Sequence, residues 1–256
     1  MPISLVENRN PDLADRHHGT FVGIGVGPGA GKLIPLAAWE ALQKADLILT
    51  PKAKSGETSV ARQCLEGLDI PEEKFRQVTY NMDCVRAETL SNYRALAKEV
   101  AEELERGLTV AYLTIGDSLT YSTYGYMLSA LRQLVPDLKF QTFPGVTSYA
   151  AAAAALSWPL GQGKECTLIL PCPETPDKLK EAIENHDIVV LMKIGQRLPM
   201  VLSLLFELGI AKHCALVGRV GLPGEFIAHD LEQLKLDTAQ GYLATMLIRK
   251  TEVKAV

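Results

Sequence analysis

Phe21-Val22-Gly23-Ile24-Gly25-Val26-Gly27-Pro28-Gly29-Ala30-Gly31-Lys32 is the stretch on which the reading of this chain turns. An apolar run enters it, glycines end the run, and residues 33–44 leave it with a helical pattern in which Pro35 is tolerable in the first turn. A strand opening into glycines lets the backbone approach a ligand closely, and the following helix aims amide groups at it. A Walker loop needs glycine five positions before Gly31 and a hydroxyl after Lys32, where Val26 and Leu33 stand instead. A dinucleotide fingerprint fits loosely as Gly25-x-Gly27-x-x-Ala30. It also requires an acid near the end of the second strand, but Asp46 precedes that strand and Thr50-Pro51-Lys52 ends it. The dinucleotide reading thus stays open without an obvious owner for its ribose contact, and a tight strand-to-helix turn with no ligand stands beside it.

Outward from this loop, short apolar runs alternate with amphipathic segments, the signature of an α/β architecture. The first strand spans residues 21–26 and the second residues 47–50, stopped by Pro51. Leu90, Tyr93, Ala97, Val100 and Leu104 fall on one face of a helix over residues 86–106, which Gly107 caps. Strands at 109–115 and 139–143 enclose a helix at 124–134, and at Phe143-Pro144-Gly145 the chain changes domain. The second half reads as an alanine-rich helix on residues 150–155, with strands at 166–170, 188–193, 214–220, 226–228 and 243–249. Helices lie around residues 177–185 and 198–208. The last two strands are expected as antiparallel neighbours, and the alanines as a helix packed too closely for larger side chains. The expectation is therefore two α/β domains after a flexible leader at residues 1–19. Residues 20–143 hold a mainly parallel sheet and residues 144–256 a mixed one.

The bulk numbers narrow the function classes. Of 256 residues, 47% are hydrophobic and 22% charged, ordinary globular values. A formal charge of −4 argues against a nucleic-acid partner held by a basic face. No apolar run reaches the roughly 18 residues of a membrane span, and residues 1–19 lack the apolar centre of a signal peptide. Cys64, Cys84, Cys166, Cys172 and Cys214 are odd in number, widely spaced and without C-x-x-C. They read as reduced thiols of a cytoplasmic protein, with neither a disulfide framework nor a metal site.

Three more strand ends repeat the theme of the first. Thr114-Ile115-Gly116-Asp117-Ser118-Leu119-Thr120-Tyr121-Ser122-Thr123-Tyr124 follows a strand directly, where open α/β sheets bind ligands; Asp117 is alternatively a helix cap. Phe143-Pro144-Gly145-Val146-Thr147-Ser148 stands at the domain change, with Thr147 or Ser148 free to cap the alanine helix. Val190-Leu191-Met192-Lys193-Ile194-Gly195 is the last, and Met192 taken alone reads as core.

Taken together, these segments resemble the tetrapyrrole methylase family. The matching pieces are G-x-G-P-G at Gly25–Gly29, Gly116-Asp117 with Tyr121-Ser122, Pro144-Gly145-Val146-Thr147-Ser148, and Leu191-Met192-Lys193. Residues 115–124 and the Met192-Lys193 pair look most like members that methylate precorrin-2 or cobalt-factor II at C-20. The resemblance implies a homodimer of two α/β domains with S-adenosylmethionine in the cleft between the domains, leaving as S-adenosylhomocysteine. Cofactor contacts carry over to Pro28, Ile115, Gly116, Asp117, Thr120, Thr147, Ser148, Met192, Val220 and Thr245. Two departures stand out: Ala30 replaces the acid usual after G-x-G-P-G, and Ser118 replaces the proline usual after Gly-Asp, which is expected to loosen that turn.

The sulfonium of this donor is cationic and suits carbonyls and a nearby carboxylate. Its methyl transfer is an in-line displacement by an electron-rich meso carbon, so catalysis is mainly positioning. Asp117 is the best carboxylate for the site, and Tyr121 and Tyr124 are the residues expected to contact or steer the macrocycle. Gly27 and Gly29 would face the substrate. Among the cations near strand ends (Lys52, Lys54, Lys193, Arg197, Arg219), the last three would meet its carboxylates. His186, His213 and His229 sit at turns or element ends and are not expected in catalysis. Rival readings are a same-family enzyme with another acceptor (another corrin carbon, RNA or protein), a nicotinamide oxidoreductase, and a non-catalytic binding protein.

Overall fold

The computed structural model describes residues 18–29, 31–53, 58–80, 86–229, 231–233 and 238–252. Residues 1–17 of the expected leader lie outside the described residues, as do Ala30 and Lys54. Two compact units divide the chain, residues 1–147 and 148–256.

The first unit is built on five parallel strands: β1 (Thr20–Gly25), β2 (Leu47–Ala53), β3 (Phe75–Tyr80), β4 (Val110–Thr114) and β5 (Lys139–Phe143), in the order β3-β2-β4-β1-β5. The central strands β1 and β4 are buried almost throughout, as a sheet covered on both faces requires. The helices are α1 (Leu36–Lys44), α2 (Val60–Gln63), α3 (Arg86–Glu105) and α4 (Tyr124–Leu134). Phe21, Leu47, Leu49, Val110 and Tyr112 share one core with Tyr93, Ala97, Val100 and Leu104 of α3 and with Met127, Ala130 and Leu131 of α4. The face of α3 read from its periodicity is thus the buried one, and Gly107 ends the helix at φ 87°. The alternate residues Val22, Ile24, Ile48, Ala111 and Leu113 point to the opposite face, where α1 packs on β1.

The strand order locates the ligand edge. Travelling β1-β2-β3 the chain moves one way across the sheet, and β3-β4-β5 brings it back. Because crossovers are right-handed, α1 and α2 cover one face and α3 and α4 the other. The connections leaving the neighbours β1 and β4 therefore part to opposite faces, a topological switch point.

Three local expectations change. Pro51 does not stop β2, which continues to Ala53. Beyond Leu49 the strand pairs only with β3, so the edge facing β4 needs no amide hydrogen from Pro51. Pro35 precedes α1 as its N-cap rather than lying in its first turn, and residues 31–33 form a separate 3-10 turn. The edge strand β3 has no counterpart in the sequence reading, and among residues 75–79 only Val78 is buried.

The second unit has α5 (Ser148–Leu156), β6 (Thr167–Pro171), α6 (Pro176–Asn185), β7 (Ile188–Met192), α7 (Leu198–Glu207), β8 (Cys214–Gly218), β9 (Phe226–His229) and β10 (Ala244–Arg249). Its order is β6-β7-β10-β8-β9, with β6 and β7 parallel and the other pairs antiparallel, the mixed sheet expected. The strands β9 and β10 are not neighbours, however; β8 lies between them. Helices α6 and α7 cover one face through Leu179, Ile183, Val201 and Leu205. On the other face Ala152, Ala153 and Leu156 of α5 meet Ala215, Val217 and Leu247, the close packing that the alanines implied. The side chain of Arg249 is only 4% exposed and is held by both Glu165 oxygens, at 3.1 and 3.3 Å, and by the Pro159 carbonyl at 2.8 Å.

Candidate active site

In the first unit, the turns after β1, β4 and β5 meet at three glycines. A Cβ on Gly145 would lie 2.0 Å from the Gly116 carbonyl oxygen, and one on Gly25 would lie 2.5 Å from the Gly145 nitrogen. Real Cβ atoms do not come so close to backbone, so glycine is required at this junction by contact as well as by conformation. Gly27, at φ 80°, exchanges both backbone hydrogen bonds with Gly116: its N–H donates at 3.1 Å and its carbonyl accepts at 2.8 Å. That latch joins the two diverging loops at the switch point. Gly27, Pro28 and Gly29 are all buried.

Asp117 pins the same junction. Its Oδ2 accepts from Leu119 N (3.0 Å), Thr120 N (2.9 Å) and Thr120 Oγ1 (2.9 Å), and its Oδ1 accepts from Gly145 N (3.1 Å). Desolvation by burial pushes this carboxyl's pKa up, but the four hydrogen bonds outweigh it and hold the pKa below the ordinary aspartate value. With both oxygens accepting from the loop, Asp117 ties the β4 turn to the β5 turn. Nor does Ser118 loosen the turn: its buried hydroxyl donates to the Phe143 carbonyl at 2.5 Å, a second tie between the β4 and β5 turns. These ties keep residues 144–147 with the first unit, which extends to Thr147, past the domain change read at Phe143-Pro144-Gly145.

The two tyrosines of this loop separate. Tyr121 is 45% exposed with φ 50°, two residues after the exposed Leu119. Tyr124 is fully buried, and this corrects its expected place against the macrocycle. Its ring stacks on Phe21 at 5.6 Å and fills the space that Gly23 leaves, while its hydroxyl pairs with Thr142 Oγ1 at 2.7 Å. Beneath the loop the Tyr112 hydroxyl pairs with Thr123 Oγ1 at 2.9 Å. Pro28, Ile115, Gly116, Asp117 and Thr120 thus fall together at the β1 and β4 ends, and Thr147 closes the β5 turn.

In the second unit, Thr245 Oγ1 donates to Ser148 Oγ at 3.2 Å, and continuing the β10–β7 register places Thr245 opposite Met192. Val220 packs against the core under α5. Ser148, Met192, Val220 and Thr245 therefore gather where β7 and β8 end and β10 begins. Three non-glycine residues at this edge have left-handed backbones: Lys193 (φ 53°) after β7, Arg219 (φ 52°) after β8 and Leu243 (φ 53°) before β10. Arg219 N–H donates to the Leu243 carbonyl at 2.9 Å. Such strain in bulky residues concentrates at functional sites. Of the three cations expected to meet substrate, Arg197 is engaged by Glu174 at 3.0 Å and by the Lys193 carbonyl at 3.2 Å. Arg219 donates Nε–H to the Pro223 carbonyl at 2.7 Å. Lys193 is exposed, yet desolvation lowers its pKa from the ordinary lysine value.

Sequence reasoning missed Ser118 as a tie, and missed Gly25 and Gly145 as contacting partners. Their signal was the recurrence of glycine at successive strand ends. Among the described residues no cluster of His, Cys, Asp and Glu is disposed to hold a metal, and no helix is long and apolar enough to cross a membrane.

Comparison with known proteins follows the same lines. The sequence profile of the Tetrapyrrole (Corrin/Porphyrin) Methylases matches residues 20–235. A cobalt-precorrin-2 C(20)-methyltransferase of Salmonella typhimurium is 27% identical, over 91% of this chain and 97% of its own. A precorrin-2 C(20)-methyltransferase of a Sinorhizobium species is 30% identical, over 72% of this chain and 76% of its own. Among solved structures, a cobalt precorrin-4 methyltransferase superposes with a TM-score of 0.65 at 19% identity, covering 93% of this chain and 97% of its own. A uroporphyrin-III C-methyltransferase of Thermus thermophilus, complexed with S-adenosylhomocysteine, superposes with a TM-score of 0.59 at 17% identity, covering 90% and 97%. These two likenesses establish a shared fold. The profile match over most of the length, with relatives at this identity, makes the chain a member of the tetrapyrrole (corrin/porphyrin) methylase family.

Proposed function

We propose that this chain transfers the methyl group of S-adenosylmethionine to C-20 of precorrin-2 or cobalt-factor II, a tetrapyrrole step of cobalamin synthesis. The observation that carries the reading is the Gly25–Gly116–Gly145 junction pinned by Asp117. It is a rigid, side-chain-free junction at a switch point, with its carboxylate locked in place. Such a junction suits a reaction whose catalysis is positioning. Names of relatives support the acceptor: both act at C(20), one on cobalt-precorrin-2 and the other on precorrin-2.

The residues fit the donor. Buried carbonyls at Gly27 and Gly116 and the ionised Asp117 favour a sulfonium over an anion. The cofactor positions that the family resemblance gives fall on Pro28, Ile115, Gly116, Thr120 and Thr147 in the first unit and on Ser148, Met192, Val220 and Thr245 in the second. S-adenosylmethionine supplies an electrophilic methyl group. The chain's part is to hold the acceptor carbon in line with that methyl, roughly 3–3.5 Å away. Tyr121 and Leu119 offer an apolar platform to the macrocycle, and Arg219 meets its carboxylates. The protein is read as a cytoplasmic homodimer. The free thiols of Cys64, Cys166, Cys172 and Cys214 support the compartment, and sedimentation of the purified chain tests the dimer.

Incubation with methyl-labelled S-adenosylmethionine and either precorrin-2 or cobalt-factor II, followed by NMR location of the label, tests the function. Label at C-20 supports it. Label at another carbon, or no transfer to either form, overturns it. Calorimetry with S-adenosylhomocysteine against NAD is expected to show binding of the first alone.

A further inference from the structure

We infer that Lys193 is the proton acceptor of the reaction, taking the hydrogen that the meso carbon loses after methylation. This rests on the C-20 reading above and deepens it. When the meso carbon attacks, the S–CH3 pair leaves with sulfur and the carbon holds both methyl and hydrogen. Conjugation returns only when that hydrogen departs as a proton. The C–H electron pair then re-enters the π-system, and the proton forms an N–H bond with the lone pair of a neutral Nζ. No oxidant or further reactant is needed, but a base is.

The structure narrows the choice of base. Asp117 has both oxygens committed to the backbone and to Thr120. Tyr124 is buried in the core. At the edge of the second unit, three adjacent strands, β7, β10 and β8, each carry a left-handed non-glycine residue, and two of these are cationic. Arg219 is fixed by Pro223 and Arg197 by Glu174, and neither guanidinium gives up a proton. Among the described residues the Lys193 ammonium has no hydrogen-bond or ion-pair partner, although its carbonyl is held by Arg197. It directly follows Met192 in a backbone that glycine would adopt more easily. Arg197 and Glu174, on the turns that follow β7 and β6, pair with each other; of the charged groups on the neighbouring β10, Arg249 is held by Glu165, and the Cys172 thiol, whose backbone N–H donates to the Met192 carbonyl, is buried with a raised pKa. Partial desolvation also favours the neutral amine.

Kinetics of Lys193→Arg, Lys193→Gly and wild type decide the matter. Arginine keeps the charge but cannot act as a base at neutral pH. The expected result is a fall in kcat of about a hundredfold or more with KM for tetrapyrrole little changed. A kinetic isotope effect should appear with deuterium at C-20. Glycine suits the left-handed backbone and keeps the fold; small primary amines added to that variant should restore turnover. Wild-type kcat should rise with pH and level off, and this limb should vanish in both variants. Full activity of Lys193→Arg would mean that only charge matters and would overturn the inference, as would failure of amines to rescue a folded, cofactor-binding Lys193→Gly. If wild type itself places no label at C-20, the function reading has failed instead, whatever the variants do.

Discussion

Replacing Asp117 by asparagine separates a pinning role from a catalytic one. The amide is the same shape, but it offers one acceptor oxygen and an NH2 that only donates. With its oxygen at the Oδ2 position, the bonds from Leu119 and Thr120 survive without their charge, and the NH2 faces the Gly145 N–H donor to donor. With the amide turned over, the Leu119 and Thr120 donors face the NH2 instead. The better arrangement still loses the bond that joins the β4 turn to the β5 turn. Leaving a part-buried N–H unpaired costs about 1–3 kcal/mol, and weakening the charged bonds adds to that. Water reaching the exposed Leu119 N–H offsets part of it, so we expect about 2 kcal/mol. For a chain of this size that is a Tm lower by roughly 5 °C. If the same looseness is felt by the cofactor, Kd for S-adenosylhomocysteine rises about tenfold or somewhat more.

The dependence on pH follows from the lowered pKa of this carboxyl. Stability contributed by a depressed carboxylate is present above the unfolded aspartate pKa of about 3.9 and is lost as pH falls through the lower folded value. Wild type and Asp117→Asn should therefore differ at pH 7 and converge below about pH 4. Urea unfolding across pH, with calorimetry of S-adenosylhomocysteine at pH 7, gives both quantities. At saturating cofactor kcat should fall less than tenfold, an order-of-magnitude expectation for lost positioning alone. A variant with normal Tm and normal cofactor affinity but kcat reduced about a thousandfold would refute this reasoning, because Asp117 would then be acting on the reacting atoms.

Three further variants can be checked with the same assays. Gly145→Ala puts a Cβ 2.0 Å from the Gly116 carbonyl, with backbone on both sides and nothing flexible to yield. It should cost about 3 kcal/mol or more, and an unchanged Tm would contradict the junction as described. Tyr124→Phe loses the hydroxyl's bonds to Thr142 and to the Gly23 backbone, and should lower stability by about 1–3 kcal/mol while leaving turnover intact. The exposed Tyr121→Ala should show the reverse, an unchanged Tm and a raised KM for tetrapyrrole. The opposite pattern would return Tyr124 to the substrate.

What the sequence disclosed and what it withheld differ in range. Gly107 as a cap, the buried face of α3 and the boundaries of α4 and β5 follow from a period or a terminator within a few residues. The strand β3 escaped because an edge strand with one buried residue among 75–79 has no apolar period to show. Pro51 misled because its tolerance depends on which neighbouring strand stops at Leu49, and β9 and β10 were misplaced because β8 intervenes. The site follows the same rule. Glycine at positions 25, 116 and 145 is legible as three separate turns, but the need for glycine at each is mutual contact between segments far apart in the chain. Asp117, Ser118 and Tyr124 are types that suggest chemistry, yet each is tied to a partner 28, 25 and 18 residues away, and residue type does not disclose those ties. Lys193 is the converse. Its importance rests on a left-handed backbone and on a charge without a described partner, and residue type and spacing disclose neither. In this fold, then, the strand-end residues that look reactive by type are the ones consumed in holding the loops. Whatever chemistry the chain adds beyond positioning must come from the side chains those ties leave uncommitted.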